Sequence, residues 1–330
     1  MEKVALGNSG RQTTRLGFGC SSLMGAMGSR DSLAILEEAF NSGIRHFDVA
    51  PMYGYGHAEG CLGEFQQRHR NEITITTKYG IPAPKNASLV GIARPVVRAV
   101  LKRVPGLKQR LAGAARAVTH TPQKASFTAA QAKASLDRSL TALRTDRIDV
   151  WLLHEVEAND LQDDHLLHLL EEETTKGTIG TFGVGSEACK INELLTSHPA
   201  YCQILQYEWS VFDPPDAENK PFCIHHRALT QNFRSIHHLL TSQTELCRRW
   251  STEVGVDLSD QAQLASLMLK AALVMNPSSV ILFSSKNPKH IRENVRIAGE
   301  RGMEEPARKF YSLVRAERDK ILPSAENGNS

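Results

Sequence analysis

The chain has 330 residues, 41% of them hydrophobic and 23% charged, enough apolar content to bury a sizeable core and to exclude disorder as the main state. A formal charge of +3 is too small to imply a nucleic-acid partner. No apolar run approaches the ~18 residues of a membrane span, and Met1-Glu2-Lys3-Val4 does not resemble a signal peptide, so no membrane partner is expected. Cys20, Cys61, Cys189, Cys202, Cys223 and Cys247 lie far apart and never as C-x-x-C. That speaks against a zinc site or a disulfide scaffold and for reduced thiols in the cytoplasm.

Val4-Ala5-Leu6-Gly7-Asn8-Ser9-Gly10 reads as a hairpin, and Gly17-Phe18-Gly19-Cys20 closes a short strand. A helix follows over Asp31–Asn41, with Ser29 or Asp31 able to cap it and Gly43 just past its end. Ile44–Val49 is a strand, His57–His69 a helix, and the β-branched Ile73-Thr74-Ile75-Thr76-Thr77-Lys78 a strand. Beyond Phe127 the pattern predicts helix Thr128–Leu143, strand Ile148–His154, helix Leu161–Lys176, strand Ile179–Val184, helix Glu187–Ser197 and strand Cys202–Tyr207. A Pro-containing loop, strand Phe222–His226, a long helical region to Met275, strand Ser279–Phe283, a helix from Pro288 and a charged tail helix complete the chain. Eight sequential strand–helix units without a composition break favour one domain over 1–330, a single (β/α)₈ TIM barrel of the α/β class. No G-x-G-x-x-G follows the first strand, which weakens the doubly wound alternative.

Between Ile81 and Phe127 stand nine basic residues (Lys85, Arg94, Arg98, Lys102, Arg103, Lys108, Arg110, Arg116 and Lys124) and no Asp or Glu. Subtracting nine from the formal +3 leaves −6, so a basic insertion of about 81–127, after the third barrel strand, interrupts a mildly acidic chain. Ile92, Val96, Val100 and Val104 share one face at helical spacing, and Arg94, Arg98 and Lys102 another. A helix packed on the barrel with a solvated basic face accounts for this pattern. A cap over the active-site mouth is the sharper reading, because the insertion follows the strand that ends in Lys78.

Catalytic groups of such barrels sit at the C-terminal ends of strands. There the sequence offers Asp48 and Tyr53 after the second strand, Lys78 at the end of the third and His154 at the end of the fourth. Singly, each has a bland reading: a turn cap, a loop-packing ring, a surface lysine, a structural histidine. Together they suit proton chemistry. A lysine at the tip of an apolar strand wants a carboxylate partner, a tyrosine beside that cation has its pKa lowered, and a nearby histidine can orient a carbonyl.

Those residues lie in motifs that resemble the aldo-keto reductase family over nearly the whole chain. Leu16-Gly17-Phe18-Gly19, Gly43-Ile44-Arg45-His46-Phe47-Asp48, Tyr53-Gly54 and Gly60, Leu62 and Gly63 resemble its opening signature. Thr76-Thr77-Lys78 resembles its lysine motif. Ser139–Leu143, Thr145-Asp146-Arg147-Ile148-Asp149 and Leu152-Leu153-His154 resemble the segment leading to its histidine. The resemblance implies a tetrad of Asp48, Tyr53, Lys78 and His154, with Tyr53 as general acid or base and hydride supplied by a nicotinamide cofactor. The implied substrate is a small-molecule carbonyl or alcohol.

For the cofactor, the resemblance implies Ser186 and Gln206 near the nicotinamide carboxamide and His226 where the family has a stacking aromatic ring. It further implies Ser284, Ser285, Lys286 and His290 near an adenosine phosphate, with Glu293 and Asn294 at the adenine. Gly185-Ser186 replaces the family's Ser-Asn pair. NADP(H) is the expected cofactor, with NAD(H) possible, because no acidic residue lies between Ser284 and Arg292. Two other readings compete: a cofactor-binding regulatory subunit on the same barrel, and a metal-dependent hydrolase. The hydrolase would need His-x-His on the first strand, where Cys20 stands, and adjacent His225 and His226 point to opposite faces of a strand. No metal is expected, and nothing in the sequence bears on oligomeric state.

Overall fold

The period-two alternation of the strands separates two apolar surfaces, and that separation builds the barrel. In the computed structural model, which describes residues 1–25, 27–83, 124–230 and 232–321, Val150 and Leu152 face inward from the strand Ile148–His154 and pack with Leu6, Ile204, Ile224, Val280 and Leu282. Trp151 and Leu153, the alternate residues, face the surrounding helices. The hairpin β1 (Lys3–Ala5) and β2 (Gln12–Thr14) crosses the lower end, and Leu6 plugs the bore.

Eight parallel strands close the barrel: β3 (Leu16–Gly19), β4 (His46–Asp48), β5 (Thr74–Tyr79), β6 (Ile148–His154), β7 (Ile179–Gly185), β8 (Ile204–Glu208), β9 (Phe222–His226) and β10 (Val280–Phe283). Around them run α1 (Ser29–Asn41), α2 (Ala58–Gln66), α3 (Ala129–Leu143), α4 (Asp164–Thr175) and α5 (Ala188–Ser197). Then follow α6 (Asn232–Ser242), α7 (Thr244–Val254), α8 (Gln261–Met275), α9 (Pro288–Gly299) and α10 (Glu304–Ala316). The TIM barrel and its hairpin thus match the sequence reading.

Local differences have physical causes. Helix α1 starts at Ser29 with Gly28 as its uncapped N-cap residue, and the Ser32 hydroxyl instead accepts from the Met24 N–H. The long helical region before Met275 is three helices. Gly255, at φ 76°, ends α7, and the Asp260 carboxylate caps α8 by accepting from the N–H groups of Ala262 and Gln263. No helix connects β8 to β9. Residues 209–221 run down the outer wall, where the Asp213 carbonyl accepts from the Tyr311 hydroxyl of α10.

The family-like motifs have structural reasons of their own. A Cβ on Gly63 would come within 2.3 Å of the Ala142 carbonyl, so α2 and α3 pack with no room for a methyl group. Asp149 accepts from the Ile75 N–H at 2.8 Å and from Arg70 at 3.1 Å, which fastens the start of β5 at the lower end. All six cysteines are unpaired. No helix among the described residues is long and apolar enough to cross a membrane. The two stems of the basic insertion meet at the rim, where the Ala125 N–H donates to the Gly80 carbonyl at 2.7 Å. Lys124 pairs with Asp160; the other eight basic residues and the apolar face of Ile92 to Val104 lie outside the described residues.

Candidate active site

Strand register brings the chemistry to one end. Asp48 is level with Gly19 and Thr76, Lys78 with Leu152, and His154 with Gly185, which is in turn level with Gln206. Asp48 and Lys78 are 3% and 1% exposed. The Lys78 Nζ donates to both Asp48 oxygens, at 2.6 and 2.7 Å, and to the Val49 carbonyl at 3.2 Å. All three of its donors are therefore used. Burial alone would discharge Lys78, but the Asp48 carboxylate outweighs it and raises the ammonium pKa, so Lys78 stays charged.

Tyr53 enters from a tight turn, Tyr53–Gly56, in which Gly54, Tyr55 and Gly56 take φ of 59°, 58° and 90°. A Cβ on Gly54 would meet the Leu23 carbonyl at 2.6 Å, so both backbone conformation and space require glycine beside Tyr53. The Lys78 ammonium lies 5.6 Å from the Tyr53 ring centre, within cation–π range. The phenol departs from the sequence expectation. Burial raises its pKa more than Lys78 lowers it, so the group is held protonated and its pKa is not depressed.

His154 is held neutral, with a pKa of about 3, by burial and then by Lys78. Its Nδ1 is buried without a hydrogen-bond partner among the described residues. His226 faces the same bore, and burial depresses its pKa to about 4, while His225, one residue earlier, faces outward onto Asp216. Beneath them the fully buried His46 bridges Thr74 and Thr76 at 3.1 and 3.3 Å, and burial lowers its pKa to about 4.

The remaining sequence candidates fall into two groups. Gln206 contacts Asp48, and Ser186 is joined to Gln206 by its N–H, which donates to the Gln206 carbonyl at 3.1 Å. The Gln206 Nε2 donates to Asp48 Oδ2 at 2.7 Å, which leaves its Oε1 for another donor, and the buried Ser186 Oγ has no partner among the described residues. Ser284, Ser285, Lys286 and His290 gather at the rim after β10, around the N-terminus of α9, which is capped by Asn287. Glu293 is not presented as a free carboxylate: it pairs with Arg296 at 2.8 Å on the solvent side of α9, and Asn294 is half-buried beside it.

Two contributors escape sequence reasoning. Buried Glu59 accepts from the Thr77 hydroxyl at 2.7 Å and so ties α2 to the strand carrying Lys78. Arg227 sits at the rim with φ 60°, paired with Glu208, and its charge reaches both Tyr53 and His226. The only sequence signal for Arg227 is its place directly after His226 at a strand end. As a chemical arrangement, this is a protonated phenol and a neutral imidazole over a buried ion pair, with the Gln206 amide and the Ser186 hydroxyl close by.

The model of the Aldo/keto reductase family matches residues 15–301. The chain belongs to the aldo/keto reductase family. Within it, the chain is 25% identical over 329 residues to an uncharacterised oxidoreductase, YqkF, of Bacillus subtilis, covering 92% of this chain and 94% of that one. It is 44% identical to pyridoxal 4-dehydrogenase of Microbacterium luteolum over 82 residues, a match spanning only 24% of each protein. An aldo-keto reductase from Klebsiella pneumoniae in complex with NADPH shares the fold, with a TM-score of 0.60 and 14% identity over 99% of this chain and 98% of that one. Enzymes of this family are oxidoreductases that use nicotinamide cofactors on small carbonyl compounds.

Proposed function

We propose that this aldo-keto reductase interconverts an aldehyde or ketone and its alcohol with Tyr53 as the proton donor or acceptor, and that it prefers NADP(H). Residues 1–330 act as one barrel unit, with the basic insertion as an elaboration of it. The observation that carries this reading is the sealed Lys78–Asp48 pair under the Tyr53 ring. An ionised pair so deep costs several kcal/mol of desolvation, and a nearby group that changes charge during reaction gives it a use.

The residues fit a nicotinamide. Its carboxamide would be held by the unpartnered Ser186 hydroxyl and by Gln206 Oε1, with His226 against the ring. When bound, the cofactor supplies a hydride to the carbonyl carbon or accepts one from the alcohol carbon. The neutral His154 donates a ring N–H to the substrate oxygen and orients it. Tyr53, protonated at neutral pH, passes its proton to that oxygen as negative charge develops there. Lys78 stabilises the phenolate left behind, and Asp48 holds Lys78 in place. In the alcohol-to-carbonyl direction the same proton returns to Tyr53. Pyridoxal 4-dehydrogenase is named for an oxidation, which supports testing both directions. Turnover of aldehydes, aldoses and pyridoxal, with both nicotinamides and in both directions, tests the proposal. Failure of every pair would leave the regulatory-subunit reading.

The preference for NADPH rests on the segment after β10. Ser284 (its hydroxyl donates to Ser22), Ser285 and the exposed Lys286 and His290 follow β10 directly and flank the Asn287-capped start of α9, a set of donors that suits a phosphate dianion. A charge-assisted contact is worth about 1.5–3 kcal/mol. Lys286→Ala should therefore raise KM for NADPH by about tenfold or more and leave KM for NADH nearly unchanged. Equal losses with the two cofactors would show that Lys286 does not meet the 2′-phosphate.

A further inference from the structure

Behind the cofactor-facing wall lies a second buried polar cluster that the proposed chemistry does not use. Residues 209–221 stand where a barrel helix would run, and Asp216, 15% exposed at its side chain, projects from them onto the outer face of three strands. Its Oδ1 accepts from the Tyr207 hydroxyl of β8 at 2.6 Å. Its Oδ2 accepts from His225 Nε2 of β9 at 2.6 Å and from the Ser279 hydroxyl, just before β10, at 2.7 Å. The Asp216 N–H donates to Asn276 Oδ1 at 3.1 Å, and Lys220 donates to the Tyr207 oxygen at 2.7 Å. Burial alone would raise the Asp216 carboxyl pKa. The donors from His225, Tyr207 and Ser279 offset this and hold it well below the usual carboxylate range.

A metal site is the obvious alternative, since Asp216, Cys223 and His225 offer ligand atoms within 4.8 Å of one another. The geometry speaks against it. Two ligands of one tetrahedral zinc, each bonded at about 2.0 Å, sit about 3.3 Å apart, whereas the Asp216 and His225 atoms are 2.6 Å apart. A ligating Nε2 would also require a proton on His225 Nδ1, which is buried without a partner, contrary to the outer-shell acceptor such ligands normally have. A hydrogen bond from Nε2–H leaves Nδ1 as a bare acceptor, the cheaper arrangement.

The clamp's position in the register is what gives it a role. Tyr207 and His225 are directly paired across β8 and β9, with ring centroids 4.7 Å apart, and His225 is paired with Ile281 of β10. Each clamped residue is the chain neighbour of an inward-facing one: Tyr207 of Gln206, and His225 of His226. A one-residue slip or a splaying of these strands would turn both inner side chains out of the bore. We propose that Asp216 is a positioning residue: from outside the wall, its carboxylate locks β8, β9 and the start of β10 in the register that aims Gln206 and His226 at the nicotinamide. The proposal rests on the reading of Gln206 and His226 as the residues that meet that ring.

The test is a double-mutant cycle on cofactor binding, read as the Kd for NADPH from protein fluorescence and needing no turnover. Asp216→Asn keeps the shape, removes the charge and should weaken binding about tenfold, the scale of a charge-assisted hydrogen bond. In a Gln206→Ala background the same change should weaken binding by no more than about threefold, because the clamp then has less to position. Tyr207→Phe removes only the β8 leg and carries the same cycle if Asp216→Asn does not fold. An unchanged Kd in the single variants, or an equal loss with and without Gln206, overturns the clamp while leaving the function standing. Absence of NADPH and NADH binding by the wild-type protein would overturn the function, and the clamp's purpose with it.

Discussion

Tyr53→Phe should lower kcat by at least about a hundredfold, the range usual for a lost general acid or base. Cofactor Kd should barely change, because the ring and its packing stay. The size of the loss follows from the surroundings of the phenol. His154 has a pKa of about 3 and so is neutral and a poor proton source near pH 7, and Lys78 spends its three donors on Asp48 and Val49. Neither can replace the missing hydroxyl. Lys78→Met should be comparably damaging in kcat, and it should also cost stability, since Asp48 would be left as a buried carboxylate with, among the described residues, Gln206 as its remaining side-chain donor. Steady-state kinetics beside direct cofactor titration separates the two effects. A Tyr53→Phe enzyme with near-normal kcat would remove Tyr53 from the mechanism.

Acid should destabilise the fold well before general carboxylate protonation. His46, fully buried between two threonines, has a folded pKa of about 4 against 6.5 for an unperturbed imidazole. Its folded pKa is the lower one, so the unfolded chain takes up the proton first. The stability it contributes is present above about pH 6.5 and is lost as pH falls toward 4, at up to about 1.4 kcal/mol per pH unit. Between pH 7 and 5 that is about 2 kcal/mol from His46 alone, a large share of a 5–15 kcal/mol total. His154 and His226 shift the same way and add to this slope. Urea unfolding at pH 7, 6 and 5 measures the slope, and His46→Asn should flatten it. A midpoint constant over that range would show that these imidazoles do not carry the folded state's acid sensitivity.

Much of this site is legible in the amino-acid sequence because its parts sit at strand ends. Asp48, Lys78 and His154 each close an apolar β-branched or leucine-rich run, and in a parallel barrel such termini share one rim. Tyr53 is marked by its neighbours, since a Pro-Met-Tyr-Gly turn directly after a strand end holds a side chain over that rim. What the sequence does not supply is balance and distance. The phenol's direction of shift depends on whether burial or Lys78 wins, a contest between two large quantities of opposite sign. Gln206 and Asp48 are separated by 158 positions and their hydrogen bond leaves no local pattern. Asp216 sits in a Pro-Asp turn that looks like any solvent loop, and only the missing helix between β8 and β9 brings it onto the wall. Glu293 reads from the sequence as an unpaired carboxylate, and its pairing with Arg296, one turn along α9, is visible only in the structure.

The most direct measurement follows the hydride itself. Purified full-length protein is incubated with NADPH carrying deuterium at the reactive nicotinamide carbon and with a panel of aldehydes, aldoses and pyridoxal, and the alcohol products are read by mass spectrometry. Transfer of the label to the former carbonyl carbon of at least one product, abolished in Tyr53→Phe, is the expected result. Unlabelled alcohol or no alcohol across the panel, or equal labelling by Tyr53→Phe, would contradict a hydride-transferring site built on Tyr53, Lys78, Asp48 and His154.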